Sequence, residues 1–549
     1  MDFIQPAAEL GNQYRDDRAL RSWLERALPA SVRTAIEPDL AELGEHAVEA
    51  WREARSRSPG EPHLTRWDAW GRRIDRIEIT PVWQQGRQMS ARYGLVAAGH
   101  DGTHGIHARS DQFARAYLYH VASEFYTCPL AMTDGAATAL KASGNHALIN
   151  RAVPHLTSRD ASTLWLSGQW MTEAAGGSDV GRTATIARRD EAGRWRLTGR
   201  KWFTSAVIGE MALTLARPEG AGGGADALAL FHVETHDADG NWNGVRVERL
   251  KDKLGTRELP TAEIQLEGAI AEPVGALDHG VRLIAPMLNV TRTWNAVGAL
   301  ATMRRSIALA GDYALRRNVF GRALIDQPLH AATLADMQAE FEAAFHLVFF
   351  VTELLGRSEH GSASADEVIL LRLLTPLAKL WTGKLAVTIA AETCEAFGGA
   401  GYIENTGIPQ LARDAQVFPI WEGTTNVLAL DVLRVLSGAG LDAALRAMAG
   451  VIDETGTDAA APARSVLDTV RIWLDQRAGD RTALELGARG LALTLARSFA
   501  ALLLARHAAW ARREQVDAHA DAAFNVFARH GLTRLETHDA AETALLARA

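Results

Sequence analysis

Cysteine is almost absent. Cys128 and Cys394 are the only two in 549 residues and lie far apart. No disulfide framework or cysteine-built metal centre is expected, and a reducing cytoplasm fits. Long apolar runs are missing too, none being long enough to span a bilayer without interruption. The opening stretch MDFIQPAAELGNQY has no basic region followed by an apolar core, so no secretory signal is expected. Positive charge is not in excess: 58 Lys and Arg against 66 Asp and Glu leave a net −8. That balance argues against a chain coated by nucleic acid over its whole surface, but leaves room for a local basic patch. Metal-ligand spacing is also lacking. His100, His104 and His107 are interrupted by Gly99, Gly102 and Gly105 and have no carboxylate or cysteine cluster beside them, so no metal site is expected.

What is present reads as several domains, since about 150 residues is a usual domain size. Residues 1–161 carry helical periodicity, in segments such as DDRALRSWLERALP. Trp23, Trp51, Trp67, Trp70 and Trp83 fall here, mostly as expected core anchors. Over 162–279 the pattern shifts to short β-branched and aromatic runs between glycine-rich turns, which predicts a compact antiparallel β-domain. Long helical units return over 280–437 and predict an antiparallel bundle. The Ala-, Gly- and Pro-rich stretch after Ser437 reads as a short connection to a C-terminal helical extension within 438–549. The fold class is therefore α+β and multidomain.

Three glycine-marked motifs and one carboxylate stand out. QWMTEAAGGSDVG, Gln169 to Gly181, follows a strand; its Gly176–Asp179 turn either meets an anion or simply closes a hairpin. GRKWFTSA, Gly199 to Ala206, either walls a flat heteroaromatic ring or buries a tryptophan anchor. CEAFGGAGY, Cys394 to Tyr402, is a glycine-rich break that also suits a helix C-cap at Gly398 and Gly399. In VFPIWEGTTN, Glu422 follows the apolar run Phe418 to Trp421. It is either an ordinary helix-start acid or a shielded carboxylate suited to proton transfer.

Together, in this order, the motifs resemble the acyl-CoA dehydrogenase family over roughly Ser162 to Val435, and more closely its AidB-like branch of alkylation-response flavoproteins. The resemblance implies a helical domain, a β-domain, a helical bundle and extra C-terminal helices. It also implies noncovalent FAD, an acyl-CoA or similar thioester substrate, and a homotetramer built as a dimer of dimers. Gln169, Met171, Thr172, Gly177 and Ser178 match the first flavin signature, and Trp202, Phe203, Thr204 and Ser205 the flavin-ring segment. Arg317 and Phe320 match a contact to a neighbouring subunit's FAD. Glu395, Phe397, Gly398 and Gly399 match the loop over the cofactor's other half, and Thr424, Thr425 and Asn426 the residues that hold it after the base. Arg292 and Gly423 match substrate-pocket positions, and Glu422 matches the catalytic base.

Asn289, Pro328, Glu395 and Trp421 depart from the family's usual residues and point to slow turnover of straight-chain acyl-CoA. The alternative function implied by the branch is a DNA-binding flavoprotein with residual dehydrogenase activity. Five arginines and no acid lie between Gly487 and Arg513. Arg434, Arg497, Arg506 and Arg513 are the candidate contacts to double-stranded DNA, against the plainer reading of solvated charges around an amphipathic helix. The sequence does not specify the electron acceptor.

Overall fold

The computed structural model describes residues 4–56, 60–437, 441–455 and 460–549. Helices begin where short polar side chains can satisfy free N–H groups. Asp17 accepts from Leu20 N to start α1 (Arg18–Ala27), which leads to α2 (Ala30–Ser56). A hairpin of β1 (His63–Trp67) and β2 (Arg73–Glu78) follows, a strand pair within a region expected to be helical. Then come α3 (Pro81–Arg92), α4 (Ala108–His120), α5 (Thr127–Ser143) and α6 (His146–Leu156). The β-domain contains β3 (Ser167–Trp170), β4 (Ile186–Arg189), β5 (Trp195–Ser205), β6 (Met211–Pro218), β7 (Ala229–Glu234), β8 (Val245–Leu250) and β9 (Thr261–Pro273). A single helix, α7 (Gly280–Arg316), fills the stretch that could have held one or two. The hairpin β10 (Asn318–Val319) and β11 (Arg322–Ala323) precedes α8 (Pro328–Glu359) and α9 (Ala365–Ala396), the latter opened by a Ser364–Glu367 capping box. The rest is α10 (Ile408–Ala415), α11 (Thr425–Val435), α12 (Leu441–Thr455), α13 (Ala461–Asp475), α14 (Arg481–Glu514), α15 (Ala520–Arg529) and α16 (Ala540–Leu546).

The chain divides into two compact units. One comprises residues 57–103 and 123–294. Its seven-stranded sheet runs β3-β6-β4-β5-β9-β7, with β8 paired to β9. The sheet is mixed, correcting the antiparallel expectation: β6 pairs in parallel with both β3 and β4. Alternation sorts the side chains of β6. Met211, Leu213 and Leu215 enter a core with Leu140 and Leu148 of α5 and α6, while Ala212 and Ala216 enter a second core with Leu197, Phe231 and Ile264. A strand buried on both faces reads as a nearly continuous apolar run, which is the sequence MALTLA.

The other unit comprises residues 1–56, 104–122 and 295–549. Trp23 packs at 4.5 Å from Phe349, and α8 packs against α9, α14 and α15. Trp23, Trp51 and Trp83 are buried as expected, whereas Trp67 and Trp70 are exposed, Trp70 at 94%. The supposed connection after Ser437 is helical over Leu441–Thr455. Its alanines, read there as loop composition, are the strongest helix formers. Residues 438–440 and 456–459 of that connection lie outside the described residues. By length and composition α14 could cross a membrane, but 83% of its apolar stretch is buried inside the protein, the pattern of a core helix.

Arg497 on α14 is internal. It is 5% exposed, donates two hydrogen bonds to Glu340 at 2.8 and 2.9 Å, and stacks on Phe527. It is therefore corrected from a candidate DNA contact to a packing residue. Removing one partner of a buried pair costs about 3 kcal/mol. Arg497→Ala is expected to lower the calorimetric melting midpoint by several degrees, whereas Arg513→Ala, at an exposed site, is expected to leave it nearly unchanged.

Candidate functional site

The two flavin-like segments of the β-domain are tied together from beneath. Trp202 N donates to Thr172 O at 2.9 Å. Lys201, fully buried, donates to Glu173 Oε1 at 2.8 Å and to Leu215 O at 3.0 Å. Glu173 also accepts from Thr185 Oγ1 at 2.6 Å and Ala184 N at 2.7 Å. Burial alone would raise the Glu173 pKa, but the Lys201 charge and these hydrogen bonds hold it below the ordinary carboxylate value. The alternating strand thus sends Lys201 inward and leaves its neighbour Trp202 half-buried and Phe203 exposed. Lys251 Nζ stands 3.5 Å from the Trp202 ring centroid, and its ammonium is bonded to Glu263. Glu263 also binds Arg200 and Arg249, and these cations hold its carboxyl at about 2 against the opposing effect of burial.

Several of these residues suit a flavin. Gln169 Oε1 is buried without a hydrogen-bond partner, an acceptor waiting for a donor. Gly177 backs onto Thr172, where a Cβ would stand 3.0 Å from its hydroxyl, while Ser178 and the turn around it are exposed. Met171 and Thr172 are half-buried beside them. Thr204 donates to Ala262 O at 2.6 Å, and Ser205 lies 3.1 Å from Thr261 Oγ1. Arg292 is half-buried on α7. His100, set aside as a metal ligand, pairs with Asp134 at 2.7 Å.

The remaining candidates lie in the helical unit. Glu422 is not in the first turn of α11: the helix begins at Thr425, its N-cap is Thr424, and its first turn holds no acid. Glu422 instead sits in a turn at φ 57, followed by Gly423 at φ 101. Left-handed backbone at a non-glycine residue costs about 1–3 kcal/mol and persists where surrounding structure enforces it. The apolar run before it shields only in part: Phe418 is buried against His120, but Ile420 is 62% exposed. A turn over these residues cannot face them all inward. Burial, with Arg305 nearby, lowers the His120 pKa to about 3, so the wall behind Phe418 is neutral.

Thr424 makes no side-chain capping bond; Thr425 is buried and Asn426 exposed. Gly398 takes φ 60 just past the end of α9, so the C-cap reading holds, and Phe397 stacks on Tyr313 at 4.3 Å. Glu395 and Gly399 are exposed. Phe320 and Gly321 form a two-residue turn with both φ positive, which presents Phe320 bare, 98% exposed. Arg317 donates to Gln5 Oε1 at 3.0 Å, and Arg413 pairs with Glu404.

Comparison with known proteins decides the family. Residues 4–161 match the adaptive response protein AidB N-terminal domain, residues 168–269 the acyl-CoA dehydrogenase middle domain, and residues 278–437 the acyl-CoA dehydrogenase C-terminal domain. Acyl-CoA dehydrogenase family member 11 of Caenorhabditis elegans is 46% identical over 79% of this chain and 72% of its own. The chain belongs to the acyl-CoA dehydrogenase family. Within it the chain is AidB-like: the putative acyl-CoA dehydrogenase AidB of Escherichia coli K12 is 37% identical over 72% of this chain and 74% of its own. The crystal structure of C. elegans ACDH-11 in complex with C11-CoA superposes with a TM-score of 0.93 at 39% identity, covering 100% of this chain and 96% of that one. As a family member it is an FAD-dependent flavoprotein and an acyl-CoA dehydrogenase-like oxidoreductase.

Sequence reading missed Glu173, Lys201, Lys251 and Glu263 as supports of the flavin segments. The available signal was a lysine and a glutamate within strands otherwise turned to the core. Because the Glu173 pKa is depressed when folded, its stabilisation is complete above the ordinary value of 4.5 and is lost as pH falls through the folded value. Melting midpoints are therefore expected to favour wild type over Glu173→Gln at neutral pH, with the gap closing through the acid range.

Proposed function

We propose that the protein oxidises an acyl-CoA thioester, with Glu422 removing the α-proton. Bound FAD supplies the acceptor, at N5, for the β-hydride. The single observation that carries the reading is Glu422 itself. It is a half-buried carboxylate on a left-handed turn, outside the helix that follows, whose N-cap is Thr424. The backbone strain fits a residue whose direction matters more than its local comfort. Gln169, Thr172 and Ser178, with Trp202 to Ser205, would hold the flavin from the β-domain. Thr424 to Asn426 and Glu395 to Gly399 would hold it from the helical unit, and Arg292 and Gly423 would line the substrate. The bare Phe320 and Arg317 would reach the FAD of a neighbouring copy in a tetramer. A cytoplasmic setting belongs to the same reading and is supported by the two unpaired cysteines.

The chemistry requires only that a carboxylate be placed at the α-carbon with the right protonation, a contribution of about 10²–10⁴-fold for a positioned base. The related structure with C11-CoA supports a saturated acyl chain of that length as the first substrate to try. Wild type is expected to be yellow and to bleach on mixing with this acyl-CoA. Glu422→Gln should stay yellow, with flavin content unchanged. Persistent wild-type oxidation with every acyl-CoA tried would refute the reading.

A second reading, binding of double-stranded DNA by the C-terminal helices, is supported by exposed arginines. Arg434 is 72% exposed and Arg513 is also on the surface. Arg506 packs against Phe350 and, like Arg497, does not belong to that surface set. Charge reversal at Arg434 and Arg513 is expected to weaken duplex binding. It should also lower the slope of log affinity against log salt by about one for each phosphate no longer neutralised. Fluorescence anisotropy across a salt series measures both, and unchanged binding would remove this reading.

A further inference from the structure

The turn that carries Glu422 has no side-chain cap of its own, yet it holds two successive left-handed residues. Its support comes from two neighbouring helices. Halfway along α9, Lys379 is fully buried, and its Nζ donates to the Gly423 carbonyl at 2.5 Å. One helical turn further, Gly383 presents bare backbone to the start of the same loop: a Cβ there would stand 3.0 Å from the Phe418 carbonyl oxygen. From α7, Asn295 Nδ2 donates to that carbonyl at 3.3 Å. Positions 379 and 383 are i and i+4, so one face of α9 grips both ends of the 418–423 loop.

Burying an ammonium is unfavourable, and an apolar residue at the same place would ordinarily be at least as stabilising. Lys201, also fully buried, braces the flavin segments. A lysine at this position needs a reason other than stability, and the group it grips is the carbonyl next to Glu422.

We propose that Lys379 is a positioning residue for Glu422. By holding the Gly423 carbonyl it fixes the torsions of the left-handed turn, and with them the direction in which the Glu422 carboxylate leaves the backbone. Lys379 acts through the backbone and takes no proton from the substrate. The proposal rests on the reading of Glu422 as the base and adds the group that aims it.

The test uses the full chain with its flavin, as wild type, Lys379→Met, Lys379→Gln and Glu422→Gln. Hydrogen–deuterium exchange over residues 417–428 is expected to be about ten-fold faster or more in Lys379→Met, with the β-domain unchanged. Rapid mixing with the eleven-carbon acyl-CoA is expected to show flavin reduction slowed about 100-fold, as for a base displaced by an ångström. The acyl-CoA Kd should stay within about two-fold, which separates aiming from binding. Lys379→Gln, which keeps a donor, should recover part of the rate, and it carries both measurements if Lys379→Met does not fold. Wild-type exchange over 417–428, or a wild-type reduction rate, in a folded variant overturns the proposal. A wild-type flavin that never bleaches overturns the base reading instead, and the exchange result still decides whether Lys379 fixes the turn.

Discussion

The structure turns on a short piece of backbone that prefers not to be where it is. Glu422 and Gly423 occupy left-handed conformations in succession, and only the second is a glycine. Such a turn survives because three elements hold it: α9 through Lys379 and Gly383, α7 through Asn295, and α11, which begins two residues after Gly423. Helix α11 packs in turn against α9 and α14. The long helices with their apolar cores are thus the means by which an unfavourable local geometry is made permanent. Their packing provides the free energy, and the turn offsets about 1–3 kcal/mol of it.

The β-domain solves a related problem with an ion pair. A flavin-binding edge needs loops that lie open to a ligand yet keep their shape without it. The loop from Thr172 to Ser178 is largely exposed. Its one inward residue, Glu173, is bound to Lys201, Thr185 and Ala184, so a single buried carboxylate fixes the loop to β5 and to the start of β4. Removing either charge would strand the other in a dry interior, where no water compensates it.

The class of fold was legible in the sequence because periodicity and glycine spacing are local signals, and the motifs from MTEAAGGSDV to WEGTTN kept their family order. Glu422 was found by its neighbours in sequence, but the reason for its position was not: the shield was read from Phe418 to Trp421, yet Ile420 faces outward. Charge in the C-terminal helices misled in the case of Arg497, because a sequence shows an arginine without showing Glu340, 157 residues away, that neutralises it. Lys379 was invisible for the same reason. Within LLTPLAKLWTGKL it looks like an ordinary surface lysine, and only tertiary packing places it inside. The parallel pairing of β3 with β6 was likewise beyond reach, since strand direction depends on crossovers that leave no local trace.

The scarcity of lysine has a chemical consequence. An acyl thioester is an acylating agent, and the amines it attacks most readily are accessible lysines. Here arginine supplies nearly all of the basic surface, and the guanidinium does not take up acyl groups under neutral conditions. Of the six lysines, two are sealed in the core and Lys251 is engaged by Glu263 beneath Trp202. Lys141 and Lys384 are the ones standing in water. A protein that handles reactive thioesters has in this way kept its own surface nearly inert to them.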